Sequence, residues 1–182
     1  MTTKTTPPIS ESAPSRQTFG EPAVRFLLEA LRFTVLRVHG PPSKAYERVA
    51  DWMSERQLEL AELARLADSG ELPRDVARAL RKAGGVSGCN RHVSARHLCL
   101  GLRDLALERW GFLAPTVLSR WGICSSGDVG RLVFDLIDAG QLHKQPGDRI
   151  EDFDHVCDLG PDLGRGLRLR TASAAADDSE QE

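Results

Sequence analysis

The sequence predicts a mainly α protein: a compact helical domain ending in a short β-hairpin, in the manner of a winged helix, with an inserted helical pair. Three observations predict it. Apolar residues recur at three- and four-residue spacing in several separate stretches, the period that stacks side chains on one helix face. Glycine and proline punctuate these stretches at 40–42, 84–88, 111 and 140. After the last stretch, Pro146-Gly147-Asp148 supplies a turn between two short segments, which predicts the hairpin.

The first 20 residues are Thr-, Ser- and Pro-rich with no apolar period, and are expected to be a disordered lead. Residues 21–160 are expected to form a single mostly helical domain. Residues 161–182 read as a disordered tail, basic at Arg165, Arg168 and Arg170 and acidic at Asp177, Asp178, Glu180 and Glu182. The first helix opens at Pro22, a residue suited to a first turn. Val24, Leu27, Leu28, Leu31, Val35 and Val38 form its stripe, widened by Phe26 and Phe33, and Gly40-Pro41-Pro42 stops it.

The inserted pair follows. One helical pattern runs from Ser43 to Asp68, with Tyr46, Val49, Met53, Leu60, Leu63 and Leu66 inward and Glu55, Arg56, Glu59, Glu62 and Arg65 solvated. A shorter one carries Leu72, Val76, Ala79, Leu80 and Ala83. The Gly84–Gly88 stretch reads as a linker, because a phosphate-cradling loop would need a preceding strand and a Gly-Lys-Ser/Thr ending.

Ser94 then caps a helix, with Val93 and Leu98 spaced as a hydrophobic staple and Leu98, Leu102, Leu105 and Ala106 as the buried stripe. Gly111 ends it. Ala114–Trp121 makes a short helix with Pro115 in its first turn and Val117, Leu118 and Trp121 inward. The next helix opens on Ser125 and Asp128, a Ser-x-x-acid start, and Gly140 is its stop. Its stripe of Val129, Leu132, Val133, Leu136 and Ile137 is the clearest in the chain, each worth roughly 1.5–3 kcal/mol if fully buried.

Several segments in this order, FLLEALRFTV (26–35), RHVSARHLCLGLRDLALERWG (91–111), TVLSRWGI (116–123), DVGRLVFDLIDAGQL (128–142) and RIEDF (149–153), resemble a small uncharacterised conserved family found mainly in Planctomycetes and Verrucomicrobia. The resemblance covers most of 24–38 and 91–156. It implies a bacterial, compact helical domain with no activity to carry over. The chain departs from the family's pattern in the insertion at about 43–90, at Phe112 and Pro115, and at His97, where an acidic residue commonly follows the Ser cap.

Composition narrows the function classes. The chain has 182 residues, 41% hydrophobic content and a net charge of −2, with a pI near 6.2. That is enough apolar material for a core and no global pull towards polyanions. No apolar run reaches membrane-spanning length, no signal-like start is present, and the four scattered cysteines fit a reducing cytoplasm, so a cytoplasmic location without membrane association is expected.

Candidate chemistry is thin. Cys89/His92, His97/Cys99 and His155/Cys157 are close in sequence, but mixed pairs lack the paired knuckles of structural zinc. No nucleophile elbow or cysteine-protease signature surrounds any cysteine, although Cys124 precedes a helix start, where a thiol gains reactivity. The carboxylates of Asp135, Asp138, Glu151 and Asp152 read more simply as a solvated rim than as an acid/base pair. No catalytic, cofactor-binding or metal residue is assigned, and no cofactor is expected.

A nucleic-acid reader would want cations on its last helix, where Asp128, Asp135 and Asp138 outnumber Arg131. The sequence therefore favours a non-enzymatic adaptor or regulatory module that binds another protein. Its candidate surface is Arg131, Phe134, Asp135 and Asp138, with Trp110, Phe112 and Phe153 as further aromatic anchors. The alternative is a winged-helix-like nucleic-acid-binding regulator using Arg165, Arg168 and Arg170 as a basic arm.

Overall fold

The computed structural model describes residues 19–160 and Leu163. Helix α1 (Glu21–His39) starts with Pro22 in its first turn and ends at Gly40, whose φ of +71° and amide bond to the Leu36 carbonyl terminate it. Its buried face is Ala23, Phe26, Leu27, Ala30 and Thr34. That face is rotated from the expected stripe: Leu28, Leu31 and Val35 are only half-buried and Val38 is exposed. The reason is close approach. Small residues let α1 cross α6 (Ala95–Trp110) tightly, and Gly101 of α6 lies against Thr34, where a Cβ would sit 2.0 Å from the threonine hydroxyl oxygen.

Helix α6 (Ala95–Trp110) is capped by Ser94, whose hydroxyl accepts the His97 amide at 3.3 Å, and Val93 and Leu98 are both buried, as a staple requires. Two ion pairs tie it to α1: Arg37–Asp104 at 2.6 Å and the two-pronged Arg109–Glu29 pair, one prong at 2.7 Å. A 3-10 turn (Gly111–Leu113) leads into α7 (Ala114–Arg120). Phe26, Trp110 and Trp121 meet there with ring centroids 4.8–5.6 Å apart.

Helix α8 (Ser126–Asp138) begins with a capping box in which Ser125 and Asp128 exchange hydrogen bonds, and buries Val129, Leu132 and Leu136. Beyond it the predicted hairpin is corrected. Among the described residues there is no strand; residues 141–149 are irregular chain with a turn at Pro146-Gly147, and Ile150–Phe153 is a 3-10 helix. The Pro146-Gly147 turn does form, with the Asp148 amide bonded to the Gln145 carbonyl. The second arm does not, because side chains take the amides a ladder would use. Asp148 accepts from the Gln145 amide and Asp152 from the Arg149 amide. Phe153 is then driven into the core, 5% exposed, against Gly130. Further on, an isolated antiparallel bridge pairs Asp158 with Ser125.

The insertion is not a helical pair but four helices: α2 (Lys44–Arg56), α3 (Leu60–Ser69), α4 (Arg74–Lys82) and α5 (Gly85–Cys89). The expected long helix breaks after Arg56. Gln57 is left-handed, φ +54°, and the Gln57 and Leu58 amides bond back to Ser54 and Met53, a Schellman-type stop. Glu59 and Glu62 then cap α3 reciprocally. The glycine-rich stretch is a short turn of helix rather than a linker. Gly88 packs so closely on the Ala83 carbonyl that a Cβ would lie 1.9 Å from its oxygen.

Two hydrophobic clusters result. One joins α1, α6, α7, α8, Phe153, Leu159 and Leu163. The other is built within the insertion from Val49, Leu63, Val76, Ala79 and Leu80. At the seam, Arg91 donates to the Gly40 carbonyl and lies over the Tyr46 ring at 5.2 Å, and the His39 ring meets the His92 carbonyl at 3.0 Å.

Candidate functional site

The rotation of α1 leaves Leu31 and Val35 half-covered on a surface shared with Val133 and Ile137 of α8, Leu98 of α6 and Leu142. Together they line a groove of about 490 Å³. Its floor is apolar and its rim is polar. Arg91, Arg96, His143 and Arg149 reach the rim, with Asp148 and Asp152 as its carboxylates. Those carboxylates already have partners: Asp148 holds His92 at 3.2 Å and the Gln145 amide at 2.9 Å, and Asp152 holds the Arg149 amide at 3.0 Å. Neither Arg96 nor Arg149 has an ion-pair partner among the described residues. The groove therefore offers guanidinium groups without ion-pair partners beside apolar side chains, with the Asp148 and Asp152 carboxylates in the same lining.

The predicted surface residues fall next to it. Arg131, Phe134, Asp135 and Asp138 are one stripe along α8, at the helical spacing that aligns side chains. Phe134 is half-buried and lines the groove, edge-on to Phe153 at 6.5 Å, with the Lys144 ammonium 5.4 Å from its ring centre. Asp135 and Asp138 are exposed. Arg131 is exposed and turned back onto Asp128.

Asp128 corrects the expected charge pattern. It is 5% exposed, so it belongs to the helix cap and not to the outward flank. Burial pushes its carboxyl up. The Cys124 amide, the Ser125 hydroxyl and amide, and the Arg131 guanidinium more than offset this, holding it below the ordinary aspartate range.

Of the other aromatic anchors, Phe153 packs in the core, Trp110 is half-buried against it, and Phe112 is 58% exposed beside Leu113 at 65%. The proposed arm, Arg165, Arg168 and Arg170, lies outside the described residues. Among the described residues no group of three or more His, Cys, Asp or Glu side chains converges as a metal ion would need. Cys89 lies in the insertion core, where burial pushes its thiol up, and His92 lies at the groove rim.

Two catalytic fragments do face the groove region and were missed in the sequence. The Ser94 hydroxyl and the His97 ring nitrogen Nδ1 are 3.1 Å apart, and His92 is held by Asp148. The histidine that touches the serine is not the one oriented by a carboxylate, so no triad is assembled. The Ser94 oxygen is in addition occupied as a helix cap.

A second feature missed in the sequence is a basic row on α4. Arg74, Arg78 and Arg81 line a wide hollow of about 910 Å³, and none has an ion-pair partner among the described residues, Asp75 being taken by Arg48. Their spacing, four and then three residues, was the available signal. No helix among the described residues is long and apolar enough to cross a membrane. No protein-family model, curated protein or solved structure matches the chain.

Proposed function

We propose that this protein is a non-enzymatic interaction module that seats a short amphipathic, acidic segment of another protein between α1, α6 and α8. The observation that carries this reading is the pairing of apolar lining residues, Leu31, Val35, Val133 and Ile137, with the guanidinium groups of Arg96 and Arg149, which have no ion-pair partner among the described residues. An apolar anchor gains by leaving water there, at about 25 cal/mol per Å² buried. Flanking carboxylates then find donors in a fork geometry suited to them. Phe134, with Asp135 and Asp138 beyond it, extends the contact along α8 and sets which way the segment lies. The resemblance of 24–38 and 91–156 to a bacterial family adds no chemistry to this reading.

A displayed random-peptide library selected on the folded protein tests it. Enriched sequences should carry one or two large apolar residues next to Asp or Glu, and should lose binding at least tenfold to Val133→Glu and to Arg149→Glu proteins of unchanged helicity. Peptides that bind both variants as well as the parent would place recognition elsewhere.

A second reading, a nucleic-acid-binding regulator, is favoured by the α4 row of Arg74, Arg78 and Arg81, to which the arm of Arg165, Arg168 and Arg170 would add charge. The predicted wing is not part of it. Anisotropy of labelled duplex and single-stranded oligonucleotides across a salt series decides it. Binding that weakens steeply with salt, and is lost in Arg78→Glu/Arg81→Glu, would replace the first reading.

A further inference from the structure

We propose that the groove between α1, α6 and α8 is occupied, in the free protein, by this chain's own residues 7–13, with Ile9 on the apolar lining and Glu11 at the guanidinium groups of Arg96 and Arg149. This rests on the reading of the groove as a seat for an amphipathic acidic segment, and it names the occupant that a partner must displace.

Residues 1–18 precede the described chain. Beyond Met1 their sequence holds one large apolar residue, Ile9, and one acid, Glu11. Two residues apart in extended chain, these side chains point to the same side about 7 Å apart, and Ser10 and Ser12 point to the other. Pro7, Pro8 and Pro14 bias this stretch towards extended backbone, so less conformational freedom is lost when it is seated. The groove offers the complementary pair. Leu31, Val35, Val133 and Ile137 are apolar lining, and Arg96 and Arg149 have no ion-pair partner among the described residues.

The reach fits. Phe19 is half-buried against the main core, and Gly20, in extended backbone, precedes α1, so the chain leaves from a fixed point at the foot of that helix. At 1.5 Å per residue from Glu21, Leu31 lies about 15 Å up α1 and Val35 about 21 Å. The ten residues from Phe19 back to Ile9 span up to roughly 33 Å. That covers the axial distance and the width of a helix, about 10 Å. The other end of the chain does not match. Leu167 and Leu169 lie among Arg165, Arg168 and Arg170, which would bring like charge to Arg96 and Arg149, and after Leu169 the first acid is Asp177.

Tethering makes a weak contact count. A segment held on a short linker has an effective concentration on the order of 1 mM, so one that binds with a dissociation constant of about 100 µM when free lowers a competitor's apparent affinity roughly tenfold.

The test places a benzophenone amino acid at position 9 of the full chain and irradiates it in dilute solution. The expected product is a monomer in which tryptic peptide 5–16 is joined to 26–32, 33–37 or 132–144, the peptides that carry Leu31, Val35, and Val133 with Ile137. Adding Glu11→Arg should lower its yield several-fold, and Arg149→Glu or Arg96→Glu in the same chain should restore it. Cross-links elsewhere, or only between two copies, overturn the proposal. Peptides selected from the displayed library should bind the full-chain Ile9→Ser/Glu11→Arg variant roughly tenfold more tightly than the parent. Equal affinity for the two overturns self-occupancy and leaves the partner reading standing. A groove cross-link with no library peptide binding either protein does the opposite.

Discussion

Gly101 of α6 lies directly against Thr34 of α1, and a methyl group at 101 would fall 2.0 Å from the Thr34 hydroxyl oxygen. This contact sets how closely the two principal helices cross. Alanine in a helix interior is ordinarily favoured over glycine by about 1 kcal/mol. Here overpacking reverses the sign, and Gly101→Ala should destabilise by roughly 1–3 kcal/mol. Thr34→Ala removes the nearest atom and forfeits only a local bond to the Ala30 carbonyl. The double variant should recover much of the loss in urea unfolding. Additive losses would mean the two positions are not coupled.

Asp128 supplies a pH-dependent contribution of known sign. Its folded pKa lies below the ordinary aspartate value of 3.8, so its stabilisation is present above that value and is lost as pH falls through the folded value. Asp128→Asn should cost about 1–3 kcal/mol at pH 7, since a buried set of donors loses a carboxylate acceptor. The gap between parent and variant should narrow as pH falls from about 5 to below the ordinary aspartate value of 3.8. A gap of constant size across that range would show that the charge contributes nothing.

The cap at Ser125 and Asp128, the stripe of α8, the staple at Val93 and Leu98 and the stops at Gly40 and Gly111 were all legible, because each is decided by residues within one turn. What was not legible depended on partners distant in sequence. The buried face of α1 was misassigned because Ala23, Ala30 and Thr34 look unremarkable until Gly101 is placed against them. The hairpin failed for a different reason. Asp148 and Asp152 satisfy local amides, and Phe153 has a better home beside Gly130 than on a strand. The groove was half legible. Phe134 was picked out, but Arg96 and Arg149 come from separate segments that only the fold brings together.

The four aromatic residues singled out in the sequence should separate by energy. Phe153→Ala should cost about 3–5 kcal/mol, because the ring is 5% exposed and its loss leaves a cavity against Gly130. Phe112→Ser should change stability by less than about 0.5 kcal/mol, as expected of a side chain mainly in water. Thermal unfolding of the two variants side by side is sufficient. A large loss at Phe112 would mean its ring is covered in solution.

The two hydrophobic clusters predict that damage stays local. Leu63 is fully buried among Val49, Val76 and Leu80, whereas Leu102 is fully buried among α1 and α8 residues. Leu→Ala at either position should cost about 2–5 kcal/mol of the unit that contains it. Native-state hydrogen exchange distinguishes them. Leu63→Ala should accelerate exchange in α2–α5 while α6 and α8 keep their protection, because α2–α5 pack mainly on one another, the Arg91–Gly40 and His39–His92 hydrogen bonds close the neck of the insertion from outside it, and the Arg91 stacking on Tyr46 reaches into it. Leu102→Ala should do the reverse. Uniform acceleration from either substitution would show one cooperative unit, with the two clusters opening together.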